Sequence, residues 1–192
     1  MSRFSARPAE AAASPAAAVS VRGAIDALVQ SSLVDLFAAY QVAVAPLPRH
    51  SAGRLPPVPE VTAAIAFVRK EAQVFSGRMT LSLPSAVLEL TKHGSGRDVR
   101  GDWARELANQ LIGRIKNRLL QFSVRLETGA TATLDSGQLS QHLALSASSV
   151  RVYSGRTLRG EALVTLEGMP DDSQLVYLGP VNVASEGDVI LF

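Results

Sequence analysis

Residues Gly101–Leu120 read GDWARELANQLIGRIKNRLL, and how that stretch folds decides how the rest of the chain is arranged. At 100° per residue, Ala104, Leu107, Ala108, Leu111, Ile112, Ile115 and Leu119 crowd into one arc. Asp102, Glu106, Asn109, Gly113, Lys116 and Asn117 fall on the opposite arc. The spacing therefore predicts one long helix with an apolar stripe for a core and a polar stripe facing away from it. Glu106 and Asn109 are three positions apart, which makes their side chains neighbours, about 5–6 Å apart at Cβ. Gly113 extends the polar stripe by a turn, although glycine in a helix interior costs about 1 kcal/mol against alanine. A bare spot beside a carboxylate and a carboxamide admits another backbone or side chain. A solvated outer face with an incidental glycine accounts for the same pattern.

Working outward, the 192 residues are enough for one domain with a real core. Hydrophobic residues at 47% against charged residues at 19% describe a globular chain. A formal net charge of +2, with the arginines spread along the sequence, gives no footprint for nucleic acid. The absence of cysteine excludes disulfides, thiolate zinc sites and cysteine nucleophiles, and fits a reducing compartment. No run of about 18 uncharged apolar residues occurs, so no membrane span is expected. The first 22 residues, rich in Ala and interrupted by Glu10 and Pro15, lack the leucine-rich centre of a secretion signal. They read as a flexible tail ahead of a domain at 23–192, and a cytoplasmic location is expected.

Before the key helix, Ile25, Leu28, Val29, Leu33, Leu36 and Phe37 repeat at helical spacing within Ala24–Tyr40. Gln41–Leu47 alternates like a strand and is stopped by Pro46 and Pro48, and HSAGRLPPVPE is a proline-rich loop. Val61–Lys70 and Phe75–Leu83 read as strands, joined closely enough for an antiparallel hairpin. In the second, Met79, Leu81 and Leu83 alternate with Arg78, Thr80 and Ser82, which predicts one buried and one wet face. Pro84 opens a short helix, SAVLELTKH, which Gly94-Ser95-Gly96 ends. Asp98 or Asp102 is the candidate cap of the key helix. After it, only strands are expected: Gln121–Glu127, Thr131–Leu134, Ala147–Tyr153, Glu161–Leu166, Leu175–Leu178 and a terminal edge at Val189–Phe192. The order predicts an α+β fold, an antiparallel-rich sheet packed against two long helices and one short one.

Familiar catalytic landmarks are missing. The chain contains no G-x-x-x-x-G-K-[ST] loop, no G-x-G-x-x-G at a strand–helix junction and no G-x-S-x-G elbow. His50, His93 and His142 are isolated from one another in sequence. His93-Gly94-Ser95-Gly96 reads as a helix–helix linker or as a phosphate cradle. Trp103 reads as an edge-of-core residue. What remains is the Glu106/Asn109 pair. A carboxamide both donates and accepts, and so can orient one water, while a carboxylate beside it can grip a partner's cation. Asparagine does not titrate, so such a pair works only where the electrophile and its metal arrive with the substrate.

Asp102-x-x-x-Glu106-x-x-Asn109, continued by Gln110-Leu111-Ile112-Gly113-Arg114-Ile115-Lys116-Asn117, resembles the signature helix of the CheC/CheX/FliY family of chemotaxis phosphatases. The order of elements over residues 24–135 is similar to the CheX branch, with one E-x-x-N helix instead of two. The resemblance implies a CheC/CheX-like fold and action on the aspartyl-phosphate of a CheY-type response regulator. It implies that Asn109 orients the attacking water and that Glu106 holds the regulator's lysine. Asp102, Gly113 and Lys116 are then the expected partner-binding residues. Mg2+ would come with the phosphorylated receiver domain, the chain having no cofactor of its own. A homodimer through sheet edges is a further expectation. One departure stands out: the family usually carries a proline about two dozen residues after the asparagine, where this chain reads ETGATATLDSG (Glu127–Gly137). A non-catalytic docking or scaffold module of the same fold is the second hypothesis, and a structural domain with no phosphorylated partner is the third.

Overall fold

The computed structural model describes residues 23–50, 56–70, 76–91, 100–146 and 149–180. Its elements run α1 (Ala24–Ala38), β1 (Ala45–Pro46), β2 (Val61–Arg69), β3 (Ser76–Leu83), α2 (Ser85–Leu90) and α3 (Arg100–Leu119). Then follow β4 (Leu126–Leu134), α4 (Ser136–Leu145), β5 (Val150–Thr157) and β6 (Gly160–Glu167), with 3-10 turns at Leu120–Phe122 and Asp172–Gln174. The strands form a six-stranded sheet in the order β1-β5-β6-β3-β2-β4, every neighbouring pair antiparallel. This is the α+β architecture that the sequence predicts.

The two long helices bury the stripes their periodicity marks. In α1, Ile25, Leu28, Val29, Leu33, Leu36 and Phe37 are buried, and in α3 all seven apolar-arc residues are. They meet Ala63, Ile65 and Phe67 of β2, Met79, Leu81 and Leu83 of β3, and Ala162, Val164 and Leu166 of β6 in one core. At the far side of that core, buried Tyr153 donates its hydroxyl to Asp26 Oδ1 at 2.8 Å. Burial, then the Asp26 bond, pushes the phenol's pKa well above its ordinary value. The contact pins the first turn of α1 to β5. Gly77 permits the close approach of β3 to its neighbours, since a Cβ there would lie 2.3 Å from the Glu167 carbonyl oxygen and 2.4 Å from the Phe67 ring.

Several sequence expectations are corrected. The stretch after α3 is not all strand: Ser136–Leu145 is a helix, capped by Asp135, whose side chain accepts from Gln138 N at 3.1 Å. Leu139 and Leu143 of α4 pack with Val150, Val152 and Leu163 in a second, smaller core on the sheet's other face. On the face of β3 expected to be wet, Arg78 stays partly exposed but Thr80 and Ser82 are buried. Their hydroxyls are satisfied across the sheet, by Thr165 at 2.6 Å and Thr62 at 2.8 Å. Of the strand expected at Gln121–Glu127, Gln121 and Phe122 lie in a 3-10 turn and only Leu126 and Glu127 are extended, as the start of β4, which runs on through the expected Thr131–Leu134. Leu175–Leu178 is not a strand but follows a 3-10 turn, with Leu178 N bonded to the Gln121 carbonyl at 2.8 Å. Pro84 is the cap of α2 and not its first helical residue, and Asp102 lies inside α3 and does not cap it. The 1–22 tail, His93, the Gly94-Ser95-Gly96 linker, Asp98, the hairpin turn at 71–75 and the terminal edge at 189–192 lie outside the described residues.

Candidate functional site

The polar stripe of α3 lines an open groove of about 450 Å3, bounded by Glu106, Asn109, Gln110, Gly113, Arg114, Asn117 and Arg118. Glu106 and Asn109 are both exposed, on adjacent turns of the same face. No strand or loop among the described residues lies over them. A Cβ built on Gly113 would meet nothing within 4 Å, so the bare spot opens outward and not toward this chain's own packing.

Each of the two side chains is held on one side and open on the other. Gln110 Nε2 donates to Glu106 Oε1 at 3.0 Å, and Tyr40 Oη donates to Gln110 Oε1 at 2.8 Å. The Tyr40 ring stands edge-on to Trp103, with centroids 5.6 Å apart, and Trp103 Nε1 donates to buried Thr91 Oγ1 at 2.9 Å. This line of contacts runs from the end of α2 to Oε1 of the exposed Glu106 carboxylate, and among the described residues no hydrogen bond reaches Oε2. Asn109 Oδ1 accepts a hydrogen bond from the Thr131 hydroxyl of β4. Among the described residues nothing occupies the Asn109 amide nitrogen.

The other end of the groove is cationic but engaged. Arg118 donates to Ser31 Oγ at 2.7 Å and Ser32 Oγ at 2.8 Å, and pairs with Asp35, so its charge ties α3 to α1. Of the expected partner-binding residues, only Gly113 lines the groove. Asp102 is exposed and paired with Arg105 one turn on, and half-buried Lys116 lies outside the groove lining. Sequence reading missed Gln110 and Thr131. Gln110 carries a local signal, four residues after Glu106 on one helix face. Thr131 carries none, because its contact with Asn109 spans two elements.

Among the described residues no three His, Asp or Glu side chains come close enough to hold a metal ion. His142 lies within 2.7 Å of Arg78 Nη2 and 3.1 Å of Glu167 Oε2, a contact that joins α4 to the sheet far from the groove. His50 contacts Ser154 Oγ at 2.9 Å. No helix among these residues is long and apolar enough to cross a membrane.

The CheX chemotaxis protein from Vibrio vulnificus superposes with a TM-score of 0.61 at 11% identity, over 75% of this chain and 98% of that one. A CheC-like superfamily protein from Shewanella sp. PV-4 matches at 0.60 and 13% identity, over 74% and 96%. The chain has a CheC/CheX-like fold. CheX of Borrelia burgdorferi, solved as a CheX–CheY–BeF3–Mg2+ complex, shares it at a TM-score of 0.50 and 10% identity, over 74% of this chain and 94% of that one. No protein-family model and no curated protein sequence matches the chain. Relative to the CheC/CheX signature, the ETGATATLDSG segment here is the body of β4 and the start of α4. In place of a proline turn, β4 carries a bulge: Thr131 pairs with Ile65 and Thr128 with Phe67, which sets Gly129 and Ala130 against the single residue Ala66.

Proposed function

We propose that this protein hydrolyses the aspartyl-phosphate of a CheY-type response regulator in a chemotaxis or related two-component pathway of the cytoplasm. The observation that carries the reading is the pair Glu106 and Asn109, exposed together on an open groove with a bare glycine one turn beyond. The likeness to a CheX crystallised with CheY supports a receiver domain as the partner.

In this mechanism the receiver docks over α3 and Asn109 enters its phosphorylated pocket. Glu106, pre-set by Gln110 and with one oxygen open, pairs with the receiver's lysine. Asn109 holds a water in line with the phosphorus. The water oxygen bonds to phosphorus as the acyl P–O bond breaks, the aspartate carboxylate leaves with that electron pair, and the water's proton ends on inorganic phosphate. A Mg2+ ion held by the receiver, and by no residue of this chain, would supply charge neutralisation at the phosphoryl oxygens. The chain's own contribution is positioning, which removes part of the entropic barrier without any titrating group.

The test is phosphate release from a panel of phosphorylated receiver domains from the same genome, with and without this protein. Acceleration on at least one receiver is expected. Binding to activated receivers without acceleration would leave a docking module, and no interaction with any receiver would overturn both.

A further inference from the structure

We propose that Thr131 is a positioning residue for Asn109, an inference that rests on the phosphatase reading above. Its hydroxyl donates to Asn109 Oδ1 across the gap between β4 and α3. Two features of β4 bring it there. The bulge at Gly129–Ala130 ends immediately before Thr131 and re-aims the strand. Two residues on, on the same side, a Cβ added to Gly101 would lie 3.2 Å from Thr133 Cγ2, so glycine at the start of α3 lets the helix lie close against the strand.

The chemistry follows from the atoms left over. A carboxamide oxygen has two lone pairs and its nitrogen two N–H groups. Thr131 takes one lone pair and fixes the amide plane. The second lone pair remains for an O–H of the attacking water, and both N–H groups remain for phosphoryl oxygens of the docked receiver. Without Thr131 the exposed side chain would be free to rotate and to exchange its oxygen and nitrogen. The water would then have to be placed anew in each encounter. Because the contact leaves Glu106 and Gly113 untouched, Thr131 acts on turnover and not on docking.

The experiment compares Thr131→Val, which keeps the shape, with Thr131→Ser, which keeps the hydroxyl, in the full chain. Two readouts are taken: kcat and KM for phosphate release from a phosphorylated receiver, and the NMR signals of the Asn109 side-chain amide without any receiver. Thr131→Val is expected to lower kcat about tenfold with KM within about twofold, and to raise the mobility of the amide group. Thr131→Ser restores both. A Thr131→Val protein with wild-type kcat and an equally ordered Asn109 amide would overturn the proposal. So would contacts placing the amide N–H groups, and not Oδ1, against Thr131. If the wild type dephosphorylates no receiver, the phosphatase reading falls, while the amide signals still decide whether Thr131 holds Asn109.

Discussion

The two stripes of α3 have opposite requirements. Leu107, Leu111, Ile115 and Leu119 are completely buried and interchangeable in kind, since the core asks only for apolar volume that fits. Glu106, Asn109 and Gly113 are reached by nothing that demands their identities for folding: one is exposed beside a glutamine, one beside a threonine, and one faces open space. Stability is thus concentrated on one side of the helix and chemistry on the other. Substitutions on the two sides should separate cleanly in what they change.

The largest effect expected is on the buried side. Leu111→Ala removes a fully buried side chain between helix and sheet and should cost about 3 kcal/mol of unfolding free energy, measured by urea titration. Receiver binding at a temperature where the variant is folded should be retained. Next comes Asn109→Ala, expected to slow phosphate release about 100-fold while changing stability by no more than about 1 kcal/mol, the worth of the bond to Thr131. A mutant as active as the wild type would remove Asn109 from the mechanism. Glu106→Ala should be smaller, weakening receiver affinity about tenfold in a titration with a BeF3-activated receiver and slowing saturated turnover less. Were the loss to fall wholly on kcat, Glu106 would belong with Asn109 and not with docking.

The buried stripes were readable in the sequence because α1 and α3 each pack one continuous face against one sheet, and a single buried face leaves a clean 3.6-residue period. α4 escaped the same reading. It spans ten residues and buries only Leu139 and Leu143, so two leucines four apart among Ser, Gln and Gly carry too little periodicity. Its firmer signal was the Asp135 cap. The same face of the sheet was misread at β3, where Thr80 and Ser82 looked solvated but are buried with their hydroxyls paired across strands. Leu175–Leu178 reads LVYL, a short apolar run like a strand, but lacks a partner strand among the described residues. At the site, the Glu106/Asn109 pair is a matter of helix geometry and could be read locally. Thr131 depended on a bulge in an edge strand, which is set by pairing with β2 and leaves no local mark.

Gly113 offers the smallest effect and the sharpest test of the contrast between the two stripes. In a helix interior with free space around the missing Cβ, alanine gains about 1 kcal/mol by restricting the unfolded chain and favouring the helix. Gly113→Ala should therefore raise the melting temperature by about 3 °C. If the bare spot is merely incidental, that gain comes without any loss. If a receiver's backbone or side chain packs there, the added methyl must collide with it, and affinity for an activated receiver should fall several-fold while the protein itself becomes more stable. A more stable variant with weakened docking would mean that α3 gives up helix stability at Gly113 to keep a surface another protein must approach. A more stable variant with unchanged affinity would confine the partner's footprint to the turns around Glu106 and Asn109.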